Sequence, residues 1–155
     1  MAKKIVNKGK KQYIEDIDKE VTVIKQRSYY VEDTDNDFST EYGTISKEDL
    51  KKNGVVKTSM KKEFSVFDST FIDDYLEMER HAQIIPLKDV GAIIAFTGIN
   101  QDSFILDAGT GSGALCLFLA KIAKKVISYD INDKHLEVAR KNKENFGMDN
   151  LEIRK

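Results

Sequence analysis

The sequence contains very little cysteine, proline and histidine. Among its 155 residues there are one cysteine, one proline, two histidines and no tryptophan. The single cysteine, Cys116, excludes an intrachain disulfide and fits a reducing compartment, so we expect a cytoplasmic protein. Since Cys116 lies in an apolar helical pattern, we expect it to pack in the core. One cysteine and two distant histidines do not have metal-ligand spacing, so no metal is expected.

Long apolar runs and an excess of one charge are absent as well. No apolar stretch approaches membrane-spanning length, and the start Met-Ala-Lys-Lys has no apolar signal-peptide core, so we expect no membrane partner. There are 25 basic and 26 acidic residues, which excludes a global basic field. The basic residues are concentrated at the start, with eight Lys and Arg against four acids in residues 1–30. Contact with phosphate and an ordinary solvated surface remain alternative interpretations of this basic start.

The most informative stretch is residues 104–113, Phe-Ile-Leu-Asp-Ala-Gly-Thr-Gly-Ser-Gly. An apolar run ends in Asp107, three alternate glycines follow, and an apolar pattern of helical spacing begins near Leu115. Glycines are required where the backbone adopts positive φ or must approach a ligand closely. The pattern predicts a strand, a tight turn and a helix, an arrangement that suits the adenosine end of a cofactor.

A second acidic strand end supports a nucleoside cofactor. Val126-Ile-Ser-Tyr-Asp130 is a short apolar run that ends in an acid, 21 residues after Gly109. In a βαβ unit the second parallel strand ends beside the first, so the Asp130 carboxylate can accept hydrogen bonds from ribose hydroxyls.

Two classes of cofactor fit this pattern. A dinucleotide is one, because Ala114 can occupy the last place of the G-x-G-x-x-G/A fingerprint. Its pyrophosphate would meet a like charge at Asp107. S-adenosylmethionine has no phosphate and carries a sulfonium and an ammonium, so the Asp107 carboxylate favours S-adenosylmethionine.

The rest of the chain divides into three parts. Residues 1–68 contain several short, half-buried strand patterns with close turns and predict a small antiparallel β-barrel. Residues 69–90 form a linker with a short helix at 71–78 and the only proline, Pro86. Residues 91–155 predict the first half of a Rossmann-like domain, because only three of its strands are present. The strand patterns of the first part are 11–17, 21–24, 28–31, 55–59 and 63–67.

These residues resemble the tRNA adenine-N1 methyltransferases that modify the T-loop adenosine. The resemblance is carried by Gln83-Ile-Ile-Pro-Leu-Lys-Asp89, by Thr97-Gly-Ile and by Leu106-Asp-Ala-Gly-Thr-Gly-Ser-Gly-Ala-Leu115. The upstream segments Tyr42-Gly-Thr-Ile, Val55-Val-Lys-Thr-Ser59 and Glu63-Phe-Ser-Val are similar to the N-terminal β-domain of that family.

The resemblance implies a small β-barrel followed by a class I methyltransferase domain, usually assembled as a tetramer. It implies S-adenosylmethionine as cofactor and tRNA as partner. The family's catalytic acid lies on a fourth strand, so no catalytic residue is assigned, and the chain alone is expected to be inactive. By resemblance, the residues expected to line the cofactor pocket are Gln83, Ile84, Asp107, Gly109, Gly111, Ser112, Gly113, Ala114, Leu115 and Asp130.

Two other functions remain open from the sequence. One is a nicotinamide-dependent oxidoreductase that uses the same glycine turn. The other is a non-catalytic fragment that binds the cofactor or RNA.

Overall fold

The computed structural model describes residues 2–155. The chain forms two compact units, Met1–Glu77 and Met78–Lys155, and each is described by itself. The boundary between them lies inside the predicted linker.

In chain order the elements are β1 (Lys3–Asn7), β2 (Lys10–Ile14), β3 (Lys19–Ile24), β4 (Arg27–Val31), β5 (Phe38–Thr40), β6 (Gly43–Ile45), α1 (Lys47–Leu50), β7 (Gly54–Lys57), β8 (Glu63–Asp68), α2 (Phe71–Glu77), α3 (Leu87–Thr97), β9 (Phe104–Ala108), α4 (Ala114–Ala120), β10 (Lys125–Tyr129), α5 (Asp133–Phe146) and β11 (Leu151–Arg154).

The first unit is built on an antiparallel sheet with the strand order β4-β1-β8-β7. Strand β1 lies inside this sheet, and alternate residues from Lys3 to Asn7 are buried, as expected for a strand with one covered face. Two two-stranded ribbons, β2-β3 and β5-β6, complete the strand content. The apolar core of the unit consists of Ile5, Val31, Ile45, Leu50, Val56, Phe64 and Val66.

The expected closed barrel is not seen in the described residues. The four-stranded sheet has two open edges, β4 and β7, and the ribbons β2-β3 and β5-β6 are separate two-stranded sheets. A barrel requires every strand to pair on both sides. The short-strand pattern identified most of the strands, but it carries no information on which edges pair.

The second unit has a parallel sheet with the order β11-β10-β9, and helices α4 and α5 pack on it. The covered face presents Val126, Ser128 and Leu151, which are all buried. The opposite face presents Phe104 and Leu106, which are 70% and 74% exposed. This parallel sheet with helices packed on it is Rossmann-like, as the strand-turn-helix pattern predicted.

The helix ends of the second unit follow from their capping residues. The side chain of Asn132 accepts a hydrogen bond from Lys134 N–H at the start of α5, and Gly147 ends α5 in the left-handed conformation. Gly98 ends α3 in the same way. Helix α4 ends at Ala120, and β10 begins five residues later at Lys125.

In the described residues no helix is long and apolar enough to cross a membrane.

Candidate cofactor site

The predicted glycine turn connects β9 to α4. Gly109, Gly111 and Gly113 all have positive φ, at 95°, 55° and 88°. A Cβ placed on Gly109 meets no atom within 4 Å, so the space beside this residue is open. At Gly113 a Cβ would lie 3.3 Å from the Cβ of Ala139, because α5 passes close to the turn. Gly109 therefore leaves room for a ligand, whereas Gly113 lets two elements pack.

The backbone N–H groups of the turn are largely occupied by partners within the protein. The N–H groups of Gly109 and Thr110 donate to the carbonyl of Tyr129 at 2.7 and 3.0 Å. The Gly113 N–H donates to the carbonyl of Thr110 at 2.8 Å. The Gly111 N–H donates to Asp130 Oδ2 at 2.8 Å. A phosphate at such a turn requires N–H groups that point at the ligand, and these four already have acceptors.

Asp130 lies at the carboxyl end of β10, where the sequence placed it. Besides the Gly111 bond, its Oδ1 accepts from the Asn132 N–H at 2.9 Å, and its Oδ2 lies 3.4 Å from His135 Nδ1. Burial by itself would raise the pKa of this carboxyl. The hydrogen bonds from Asn132 and Gly111 and the neighbouring His135 outweigh burial and hold the pKa below its ordinary value. Asp130 is therefore a fixed, ionised acceptor beside the turn.

Asp107 is held by a short chain of hydroxyl groups. Ser128 Oγ donates to Asp107 Oδ2 at 2.6 Å, and Thr110 Oγ1 lies 2.6 Å from Ser128 Oγ. Ser128 and Thr110 are both buried, which fixes the orientation of the carboxylate. Cys116 is buried nearby, where burial and then Asp107 raise the pKa of its thiol to about 12. A thiol with that pKa stays protonated at neutral pH, so its role is packing.

The segment that carries Gln83 and Ile84 lies against the glycine turn. Ser112 Oγ accepts from the N–H groups of His81 and Ala82 at 2.9 and 3.2 Å. A Cβ placed on Gly111 would lie 3.6 Å from the Cβ of Ala82. Gln83, which is exposed, and Ile84, which is half-buried, follow directly after these two contacts.

The predicted site residues separate into accessible and buried groups. Asp107 and Asp130 are partly exposed at the ends of adjacent strands, and Gly109 is exposed. The side chains of Ser112 and Ala114 are buried, and the hydroxyl of Ser112 is already bonded. The structure thus brings Asp107, Asp130 and the glycine turn together, with Gly113 and Leu115 at the start of α4, whereas Gln83 and Ile84 are tied to the turn only through the neighbouring His81 and Ala82.

Several residues that shape the site were not identified from the sequence. Ser128 is a polar residue within an apolar strand, and that contrast was the signal for a buried partner. Asn142 is buried in α5 and donates through Nδ2 to the carbonyls of Ser112 and Glu79, both at 2.9 Å. His135 was assigned to no cluster, yet its ring lies beside Asp130. Asn142 has no local signal, because its partners are distant in sequence, whereas His135 is only five residues from Asp130, and that spacing from a strand-end acid was the available signal.

In the part of the chain that the structure describes, no cluster of three or more His, Cys, Asp or Glu side chains could hold a metal ion.

Comparisons with known proteins agree with this geometry. Residues 99–155 match the family model described as a methyltransferase domain. The chain is 35% identical over 108 residues to the tRNA (adenine(57)-N(1)/adenine(58)-N(1))-methyltransferase TrmI of Methanocaldococcus jannaschii, which covers 68% of this chain and 38% of that protein. It is 38% identical over 92 residues to the tRNA (adenine(58)-N(1))-methyltransferase TrmI of Thermus thermophilus, covering 57% and 36%.

Two solved structures share the fold. A SAM-dependent O-methyltransferase from Thermotoga maritima superimposes with a TM-score of 0.73 at 23% identity, covering 98% of this chain and 54% of that one. The tRNA (m1A58) methyltransferase TrmI from Aquifex aeolicus gives a TM-score of 0.70 at 23% identity, covering 97% and 55%.

The matched regions are shorter than these relatives. The chain spans little more than a third of the length of the two curated relatives and about half of the two solved chains. The family resemblance seen in the sequence is confirmed by these matches. They give no support to the oxidoreductase alternative.

Proposed function

We propose that this chain, which is related in sequence to the tRNA (adenine-N1)-methyltransferases, is the cofactor-binding part of such an enzyme. Its cofactor is S-adenosylmethionine, and its substrate is N1 of a T-loop adenine of the adenine-58 type. The relatives from Methanocaldococcus jannaschii and Thermus thermophilus support this assignment through their names.

The observation that carries the proposal is how the glycine turn uses its polar groups. Four of its N–H groups have acceptors within the protein, and two carboxylates, Asp107 and Asp130, lie at the adjacent strand ends. Occupied N–H groups and two nearby carboxylates disfavour a pyrophosphate and favour a ligand with positive charge and hydroxyl groups. S-adenosylmethionine has both features, so the residues present fit it.

Different residues of the site would contact different parts of the cofactor. Asp130, fixed by Gly111 and Asn132, accepts hydrogen bonds from the ribose hydroxyls. Asp107, oriented by Ser128, attracts the cationic end of the ligand. The open backbone at Gly109 admits the ligand, and Gln83 and Ile84 cover it. The bound cofactor supplies an activated methyl group, and the protein contributes positioning and exclusion of water. The predicted contacts are those of Gln83, Ile84, Asp107, Gly109, Gly111, Ser112, Gly113, Ala114, Leu115 and Asp130.

The substrate base has to be brought to the methyl group. Adenine N1 is engaged in the stack and in pairing, so the target base must leave its stack to react. By resemblance, the acid that receives the adenine amino group lies on a fourth strand of the parallel sheet, and the described residues form three strands, so we assign no catalytic residue. We therefore expect the 155-residue chain to bind the cofactor without methylating tRNA.

Calorimetry with two ligands tests the cofactor assignment. The chain is titrated with S-adenosylhomocysteine, the demethylated product, and separately with NAD⁺. We expect saturable binding of the first and none of the second. Preference for NAD⁺, or binding of neither ligand, would contradict the proposal.

A methyl-transfer assay tests the substrate assignment. Tritiated S-adenosylmethionine is incubated with the chain and an unmodified tRNA transcript, and the nucleosides are then separated. Background transfer is the expected result. Transfer above background would place the catalytic centre within these residues, and a labelled nucleoside other than 1-methyladenosine would contradict the adenine-N1 assignment.

A further inference from the structure

A basic cleft lies in the first unit, between the β1–β2 turn with the start of β2 and the end of β3 with the β3–β4 turn. Its cavity volume is about 630 Å³. Five cationic side chains line it, and no acidic side chain does; the five are Lys8, Lys10, Lys11, Lys25 and Arg27. These residues belong to the basic start of the sequence, whose role the cofactor site leaves unexplained.

A buried polar residue holds the two walls of the cleft together. Asn7 is only 3% exposed, and its Nδ2 donates to the carbonyl of Lys25 at 2.9 Å. Its Oδ1 accepts a hydrogen bond from the Arg27 N–H. A Cβ on Gly9 would lie 3.1 Å from the backbone nitrogen of Gln26, so glycine allows the two walls to approach. The cleft is thus fixed by the backbone and does not depend on flexible side chains.

The charges of the cleft are only partly neutralised. Lys11 pairs with Glu20 at 3.1 Å and Arg27 with Glu41 at 2.9 Å. For Lys8, Lys10 and Lys25 no ion pair within 4 Å is found in residues 2–155. Glu41, the partner of Arg27, also acts electrostatically on Lys25, so the cleft keeps an excess of positive charge, carried above all by Lys8 and Lys10. This excess around one concave surface suits a ligand with several negative charges.

A β-bulge and an exposed tyrosine extend the cleft along the hairpin. The register of β2 with β3 shifts between Lys10 and Lys11, and a bulge of this kind redirects side chains locally. Tyr13 follows two residues later on the same face as Lys11, and it is 56% exposed. Its hydroxyl donates to Asp18, and Glu20 lies opposite it on β3, so Tyr13 stands outside the cleft, between its cations and the acids of the hairpin. An exposed aromatic ring at the end of a row of cations can add base stacking to phosphate contacts with a nucleic-acid strand.

We propose that this cleft binds the phosphodiester backbone of an RNA strand, with Lys8, Lys10 and Lys25 on phosphates and Tyr13 stacked on a base. Ile24 is the one aliphatic residue that lines the cleft and no aromatic residue lines it, so the cleft lacks the aromatic or large apolar pocket that typically anchors a protein partner. The RNA class rests on the proposed function, since a tRNA-modifying enzyme must hold its substrate away from the reacting base. The phosphate contacts follow from the charges alone.

The test measures RNA affinity as a function of salt. A fluorescein-labelled unmodified tRNA transcript is titrated with the full chain by anisotropy, without cofactor, at several salt concentrations. The variant is Lys8→Gln/Lys10→Gln/Lys25→Gln. Because each lost phosphate contact reduces the salt slope by up to about one, we expect the slope to fall by about 2 and the affinity to drop about tenfold or more. In Tyr13→Ala we expect weaker binding with an unchanged slope, since stacking releases no counterions.

The matched control is Lys47→Gln/Lys61→Gln/Lys62→Gln, which removes the same charge from exposed lysines of the same unit. It should keep the affinity and slope of the parent to within about twofold. Equal losses in both triple variants, an unchanged cleft variant, or no binding by the parent chain at low salt would each overturn the proposal.

A separate titration with S-adenosylhomocysteine keeps the two proposals distinguishable. The cleft variant should bind it as the parent does, because the substitutions lie in the other unit. If the parent chain binds RNA through the cleft but does not bind S-adenosylhomocysteine, the proposed function is contradicted and the cleft proposal stands. If the parent binds S-adenosylhomocysteine but does not bind RNA, only the cleft proposal is contradicted.

Discussion

Three glycines that look equivalent in the sequence have different surroundings in the structure. Gly109 borders open space, a Cβ on Gly111 would touch Ala82, and a Cβ on Gly113 would press against Ala139 at 3.3 Å. All three have positive φ, so a side chain at any of them adds backbone strain. Only at Gly113 is a packing clash with α5 added to that strain.

Alanine substitutions at Gly113 and Gly109 compare a glycine that is required for packing with one that borders open space. Gly113→Ala should lower the free energy of unfolding by about 2–4 kcal/mol, because strain and the contact with Ala139 add. Gly109→Ala should cost only about 1–2 kcal/mol, the strain alone. Urea denaturation of both variants provides the measurement, and equal losses would contradict the different roles.

The Asp130 carboxylate is expected to bind the cofactor ribose. Asp130→Ala should weaken binding of S-adenosylhomocysteine by about 1–3 kcal/mol, the scale of lost charge-assisted hydrogen bonds. Calorimetry measures the affinity, and Asp149→Ala, an exposed carboxylate on the α5–β11 connection, serves as control. Circular dichroism verifies that each variant is folded. Equal affinity of Asp130→Ala and the parent would remove Asp130 from the site.

At the scale of elements, helix α2 is anchored to β1 through one acid. Asp73 Oδ2 accepts from the N–H and the hydroxyl of Thr70 at 3.0 and 2.7 Å, which caps the start of α2. Its Oδ1 pairs with the Nζ of Lys4 in β1. The hydrogen bond from Lys4, together with those from Thr70, lowers the pKa of Asp73 to about 2, against the opposing effect of burial.

This lowered pKa predicts a pH-dependent contribution to stability. A group with a pKa of about 2 in the folded chain and an ordinary value of 3.8 stabilises the fold fully only above about pH 5. The contribution is lost as the pH falls from there toward about 2. The difference in urea midpoint between the parent and Asp73→Asn should therefore shrink over that range. A constant difference would contradict the ion pair, and Asp16→Asn, an exposed acid of the same unit, should show no such change.

At the scale of the whole molecule, the parallel sheet of the second unit has one bare face. Helices α4 and α5 cover the Val126 and Leu151 side, whereas Phe104 and Leu106 are more than two-thirds exposed on the other side. Strand β9 is also an edge strand of this sheet, with β10 as its one partner in the described residues. Parallel sheets are normally buried on both faces, and open apolar edges promote association.

The chain by itself is therefore expected to self-associate. Sedimentation velocity should show a weight-average mass that rises with concentration, and Leu106→Glu should reduce that rise by placing a charge on the bare face. Ile17→Glu, at an exposed apolar position outside the sheets, is the matched control. A strictly monomeric parent, or equal effects of the two substitutions, would contradict association through this face.

Local sequence determined the features that depend on neighbouring residues. The strand-turn-helix around Gly109 and the carboxylate of Asp130 at the end of β10 can be predicted from sequence, since acid-ended apolar runs and glycine spacing are local patterns. The residues that cap α5, Asn132 and Gly147, also depend only on neighbouring residues. The family resemblance was also carried by contiguous motifs, and the comparisons confirmed it.

Only the tertiary structure decided the features that join distant segments. Strand β1, the inner strand of the first sheet, had no clear pattern of its own, because Lys3 and Asn7 take buried positions through partners far along the chain. The open sheet and separate ribbons replaced the expected barrel, since edge pairing depends on long-range contacts. The same holds for the Ser128 bond to Asp107 and for the basic cleft, whose walls are joined by the β2–β3 pairing and by Asn7 and approach closely at Gly9.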